Sequence, residues 1–229
     1  MRRLILPVLV ALLIVSSGCV GLVTGETVEF EASEGTVNES ALESTGYEAN
    51  NTTERAITRD VNFAGQERTI RIVNQVSRYT KDGSLATASG NETLSSAVES
   101  GQVESTTVPD LSRFIVLTSP GAEVAGQTLN PAGSWSNERI FQEIADQTGQ
   151  LDGLEKDGGR TADALGDSRQ VTEFTATTEV QGREVEVRAH VVSFEHEGDV
   201  VIAVGVHPEE LDEEENVDEL LGGLEHSGN

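Results

Sequence analysis

Residues 171–207 read VTEFTATTEVQGREVEVRAHVVSFEHEGDVVIAVGVH, and their alternation decides the fold class. Two glycine-bearing dipeptides, Gln181-Gly182 and Glu197-Gly198, divide the stretch into three runs of strand length. A two-residue connection is the tight turn that joins neighbouring antiparallel strands. With turns there, Phe174, Ala176, Thr178 and Val180 share a face with Val185, Val187, Ala189 and Val191, and with Val200, Ile202, Val204 and Val206. Successive side chains point to opposite faces, so a slip of one residue would scatter that set. The stretch is therefore a three-stranded meander with one consistent register. Its opposite face carries Glu184, Glu186, Arg188 and His190 at one end and Val192, Phe194, Val201 and Ala203 at the other, so it is only partly covered.

Downstream, Val217, Leu220, Leu221 and Leu224 fall at i, i+3, i+4 and i+7, a helical stripe that can lie on the sheet. Asp212, Glu213, Glu214 and Glu215 form its solvated start, where the helix dipole favours negative charge. Upstream, residues 136–148 predict a helix with Ser136 as cap and Ile140, Phe141 and Ile144 on one stripe. Residues 112–118 hold Phe114, Ile115, Val116 and Leu117 in succession, the pattern of a strand covered on both faces and stopped by Pro120-Gly121. Residues 56–63 and 66–79 flank Ala64-Gly65 and read as a hairpin. Residues 38–45 predict a short helix ended by Gly46, and 27–32 a strand. Residues 82–92 and 150–168 read as polar loops, and 94–99 as a helical turn. The fold class is α+β: a central antiparallel β-sheet, hairpin plus three-stranded meander, with a few helices packed on it.

Composition sets the solvent. The 229 residues carry 40 Asp plus Glu against 15 Lys plus Arg, a net charge of −25, and the only lysines are Lys81 and Lys156. Such self-repulsion swells a compact domain in dilute buffer. In molar salt the Debye length falls to about 3 Å, and surface carboxylates then hydrate the protein without opposing its folding. The chain reads as halophilic. No basic patch exists to displace counterions from phosphates, which argues against nucleic acid as a partner.

The N-terminus reads as an address. Arg2 and Arg3 precede an uncharged apolar run over residues 4–15, followed by Ser16, Ser17, Gly18 and the single cysteine, Cys19. Basic, apolar and small-residue zones in that order are those of an exported chain cut before its cysteine. Residues 1–18 are thus read as a lipoprotein signal peptide, 19–26 as a tether and 27–229 as one extracytoplasmic domain, with lipid on Cys19 holding it to the membrane. Ser16 stands where such motifs usually carry leucine. The rival is an uncleaved transmembrane helix over residues 4–23, about the 20 residues a span requires. A lone cysteine makes no internal disulfide, so the domain holds itself by its core.

The degenerate Ser17-Gly18-Cys19 motif, the acidic and lysine-poor chain, the strand ending in Thr118-Ser119-Pro120 and the closing strand before an acidic helix together resemble haloarchaeal secreted lipoproteins of a family with no assigned function. At fold level, a central antiparallel sheet with a helix between its halves and a terminal helix laid back on it is similar to the fold shared by the photosystem subunit PsbP and the nuclear import factor Mog. That group consists mainly of non-enzymatic binding or assembly modules, and the resemblance implies such a role here.

The residues themselves offer little chemistry. There is no G-x-S-x-G elbow, no phosphate-binding glycine loop and no H-E-x-x-H pair, so neither a catalytic set nor a cofactor is assigned. His190 and His196, six apart on one strand, lie about 20 Å apart and cannot share a metal. His207 reaches His190 diagonally from the next strand, but without an evident third ligand no metal is assigned. The histidines read as sheet-surface residues, with His226 in a frayed tail. Trp135 reads as a staple at the helix entry, against the rival of an exposed ligand anchor. Asn38, Asn50, Asn51 and Asn91 each begin a sequon and are candidate glycosylation sites. Two function classes follow: a surface-tethered binding or assembly module, and a hydrolase working through a carboxylate pair. A two-lobed solute receptor is the third, for which the chain is short.

Overall fold

The two faces of the meander become two separate cores on opposite sides of one sheet, in a computed structural model that describes residues 27–63, 66–88, 103–124, 127–128, 130–148, 151–180 and 182–227. In chain order the elements are β1 (Val28–Glu31), β2 (Gly35–Val37), α1 (Glu39–Thr45), β3 (Glu48–Phe63), β4 (Gln66–Ala88) and β5 (Val103–Pro120). There follow β6 (Glu123–Val124), β7 (Gln127–Thr128), a 3-10 turn (Pro131–Ser134), α2 (Asn137–Thr148), β8 (Asp152–Ala164) and β9 (Asp167–Val180). The last are β10 (Arg183–His196), β11 (Asp199–Pro208), α3 (Glu214–Gly222) and β12 (Leu224–His226). Eight strands form an open sheet in the order β1-β4-β5-β11-β10-β9-β8, with β3 added on β4. β1 joins β4 in parallel and the other pairs are antiparallel. β2 and β12 pair apart from the sheet, so an early segment of the chain meets its final strand.

The meander has the register its turns require, with Val187 opposite Ala176 and Val191 opposite Val204. On one face Phe174, Ala189, Val191, Val200, Ile202 and Val204 pack with Ile140 and Phe141 of α2. The Phe141 and Phe174 rings meet at 4.9 Å between centroids. On the other face Phe114, Val116, Val192, Phe194, Val201 and Ala203 are sealed by Val217, Leu220 and Leu221 of α3 and Ala41 of α1. That face is covered at its apolar end, as the alternation suggested, with His190 also buried, while Glu184 and Glu186 at the other end stay exposed. Gly205 makes the close seat possible, because a Cβ there would stand 2.9 Å from Cγ2 of Val217.

The helix ends follow local chemistry. Asn38 caps α1 by accepting the Ala41 N–H at 2.9 Å, and Gly46 closes it at φ 73°, in the left-handed region. Ser136 does the same for α2, its Oγ accepting the Arg139 N–H at 3.4 Å. Trp135 packs at the α2 entry against the core on that side, with the Arg139 guanidinium 4.5 Å above its ring, as a staple would.

Four expectations are corrected. The loop placed at 82–92 is, as far as Ala88, a continuation of β4, hidden by a register shift between Lys81 and Gly83. The loop placed at 150–168 is the edge strand β8 and its turn into β9. Two register shifts break its period, and its turn uses Leu165 at φ 50° before Gly166 at φ 81°, where leucine gives no turn signal. The acids opening α3 are not all solvated: Glu213 is buried, paired with Lys81 at 2.9 Å and accepting from Nδ2 of Asn216 at 2.8 Å. The histidines are not surface residues: His190 and His207 are buried, and His226 belongs to β12. The signal peptide, Cys19, the tether, the turn at 94–99 and Asn91 lie outside the described residues. Among the described residues no helix is long and apolar enough to cross a membrane.

Leu220 is fully buried between α3 and the sheet. Leu220→Ala should cost about 2–5 kcal/mol, through lost burial and the cavity left behind, in denaturant unfolding followed in molar salt.

Candidate functional site

The most developed polar constellation lies under α3, where strands β8 to β11 bring together residues far apart in sequence. Arg160 faces inward from β8 along the same side as Ala162 and Ala164, which are buried. Its guanidinium holds Asp218 of α3 through Nη2 at 2.5 Å and Nε at 3.2 Å, and Glu173 of β9 through Nη1 at 2.7 Å. The second Nη1 hydrogen donates to Nδ1 of His190 at 2.9 Å. Nε2 of His190 then meets Nε2 of His207 at 3.0 Å, and Nδ1 of His207 lies 2.8 Å from the Pro208 carbonyl.

The proton positions follow from the donors available. A carbonyl only accepts, so His207 carries its proton on Nδ1, and in the neutral ring Nε2 is bare. His190 must therefore donate from Nε2, which leaves its Nδ1 free to accept from Arg160. Each nitrogen is satisfied when both rings are neutral. The electrostatics agree: burial first, then Arg160, His207 and Arg188, push His190 down to about 3, and burial also lowers His207. The rings stack at 5.2 Å between centroids. The network spans four strands and a helix, and both nitrogens of each histidine ring are engaged within it.

A second cluster stands at the β10–β11 turn, where His196, Glu197 and His226 offer ligand atoms within 4.8 Å of one another. The ring of His226 is 1% exposed, and its Nε2 is 3.1 Å from Oδ2 of Asp199. The family model titled Domain of unknown function (DUF6517) matches residues 34–225. The chain belongs to the DUF6517 family. Its matched span holds the whole network under α3 and reaches the strand that ends in His226. No curated protein matches the chain. Among solved structures it is similar to cyanobacterial PsbP (CyanoP) from Synechocystis sp. PCC 6803, at 12% identity and a TM-score of 0.34, over 66% of this chain and 86% of that one. It is also similar to a Pseudomonas aeruginosa protein of unknown function, at 9% identity and a TM-score of 0.26, over 67% and 84% of the two chains.

In this DUF6517 chain the other residues singled out by sequence fall apart from these clusters. Asn38 is the α1 cap, and Asn50 and Asn51 are exposed at the start of β3, where the register shifts between Ala49 and Asn51. A shallow groove of about 210 Å³ runs beside them against Thr36, Leu42 and Tyr79, smaller than the usual small-molecule pocket of about 300–1,000 Å³. The diagonal approach of His207 to His190 was legible from the register. Arg160 was missed because its strand reads as a loop; its signal is the alternation Arg160, Ala162, Ala164. On the surface, the Lys156 ammonium bonded to Glu138 holds that acid down to about 2.

The neutral histidine pair makes stability depend on pH. Because the folded His190 pKa lies below its ordinary 6.5, the folded state binds fewer protons than the unfolded state between about 3 and 6.5. Its contribution is complete above 6.5 and is lost as pH falls through that window, on the order of 3 kcal/mol by pH 4. Unfolding followed from pH 7 to 4 should show this decline, weakened in His190→Phe. Nitrogen-15 NMR at pH 5 should find Nε2–H on His190 and Nδ1–H on His207.

Proposed function

We propose that this chain is an extracytoplasmic binding or assembly module, tethered to the membrane through lipid on Cys19, which takes an extended acidic segment of a partner protein onto the free edge of β3. The observation that carries this reading is the contrast between the two long edge strands of the sheet, β8 and β3. β8 is guarded, with two register shifts and the charged residues Asp152, Glu155, Lys156 and Asp157 along it. Such breaks are how proteins keep an edge from pairing with another chain. β3 instead pairs regularly with β4 from Asn51 to Phe63, and among the described residues no strand covers its outer edge.

The same strand supplies the recognition chemistry. Ile57 is 46% exposed, and Arg55 and Arg59 flank it at period two, both exposed. The ribbon over residues 48–80 carries five arginines against four carboxylates, within a chain of net charge −25. An added strand gains main-chain hydrogen bonds along the edge, while alternate side chains give specificity. Those short-range bonds persist in molar salt, where longer-range attraction is screened.

A photo-crosslinking residue at position 57, activated in native membranes in molar salt, should capture an acidic, extended peptide of a membrane or surface protein. Arg55→Glu with Arg59→Glu should abolish that capture and leave thermal unfolding within a degree or two, since both side chains are exposed. Capture that survives both reversals, or a native polypeptide in the cytosol that keeps its first eighteen residues, would overturn the proposal.

A further inference from the structure

The geometry points to a divalent transition-metal site, of the kind zinc occupies, formed by His196, Glu197 and His226, with Asp199 orienting His226 from behind. His226 ends β12, and its ring is enclosed by the β10–β11 turn, leaving 1% of the side chain exposed. Oδ2 of Asp199 accepts the Ser33 N–H at 2.8 Å and lies 3.1 Å from Nε2 of His226. A carboxylate oxygen only accepts, so Nε2 of His226 carries the proton, and in the neutral ring Nδ1 presents a bare lone pair. That Nδ1 is buried and has no hydrogen-bond partner.

What Nδ1 faces is also electron-rich. Oε2 of Glu197 stands 3.6 Å away, and the His196 ring sits edge-on at 5.3 Å between centroids. The lone pair of the buried Nδ1 and that of the carboxylate repel unless a metal ion or a proton lies between them. The ligand atoms of His196, Glu197 and His226 already fall within 4.8 Å of each other. Tetrahedral zinc, with bonds of about 2.0–2.1 Å, asks for separations of roughly 3.4 Å. Glu197 already stands near that distance from Nδ1 of His226, at 3.6 Å, so the separation left to close is the one to His196, which is half-buried at the end of β10.

The donor set selects the metal class. Two imidazoles and one carboxylate suit zinc and its neighbours, whereas calcium and magnesium prefer oxygen alone. A carboxylate bonded to the far nitrogen of a ligating histidine fixes its tautomer and raises its basicity, the part Asp199 plays here. Three protein ligands leave a fourth position for water, on the side where Glu197 meets solvent. The ion would join β12 to the β10–β11 turn, drawing the last strand onto the sheet.

The test uses the full chain, stripped with a chelator and titrated with Co²⁺ and Zn²⁺ in molar sodium sulfate. The expected result is one equivalent bound, with the intense visible absorption of tetrahedral cobalt, and a Tm that rises with metal concentration. His196→Gln and Glu197→Gln, both outside the core, should each weaken binding about 10–100-fold and remove the Tm response. Binding that ignores both substitutions would overturn the assignment as diffuse attraction to surface acids. So would nitrogen-15 spectra in which both His226 nitrogens keep their protons when zinc is added, the signature of an imidazolium held between Glu197 and Asp199.

Discussion

The structure depends on one register, that of β10 against β11, because both strands are buried on both faces. Val191 and Val204 point to the α2 side, while Val192 and Ala203 point to the α3 side. A slip of one residue would trade the members of two cores at once and push His190 into the apolar layer against α2. No other pair in the sheet is constrained so strongly. The helices follow from it: α2 takes one face, α3 takes the other, and Gly205 marks where α3 comes closest.

The polar networks extend that constraint. Arg160 secures the edge strand β8 to β9 through Glu173, to β10 through His190 and to α3 through Asp218. Lys81 and Glu213 do the same between β4 and the start of α3. In a chain this acidic, salt screens the exposed charges while partly buried pairs keep most of their interaction. The enclosed pairs of Arg160 and Lys81 therefore tie strands and helix together more firmly than the exposed carboxylates do.

What could be read from sequence was what repeats. The meander, the stripe of α3 and the entry of α2 all show several apolar residues at a fixed period, and each lies where that period requires except Leu224, which has left the helix at Gly222 and opens β12. The end of α1 was legible because Gly46 closes it within one turn, whereas the cap at its start, Asn38, reads in the sequence as its first helical residue. β8 was not, since an edge strand with bulges buries too few side chains to show alternation. The end of β4 was lost in the same way, to the shift at Gly83. β12 is three residues long and follows two glycines, so its pairing with β2 leaves no local trace. The same failure concealed the clusters: Arg160 lay on the unread β8 and His226 on the unread β12.

β11 lies between β5 and β10, and among the described strands it alone joins the half of the sheet built from β1, β3, β4 and β5 to the half built from β8, β9 and β10. It is also the last long strand to be synthesised. Until it emerges, the earlier strands are two separate ribbons with unfinished inner edges, and neither core is closed. Closure of both cores therefore waits for β11, and a chain cut before residue 199 is expected to expose the inner edges of both ribbons.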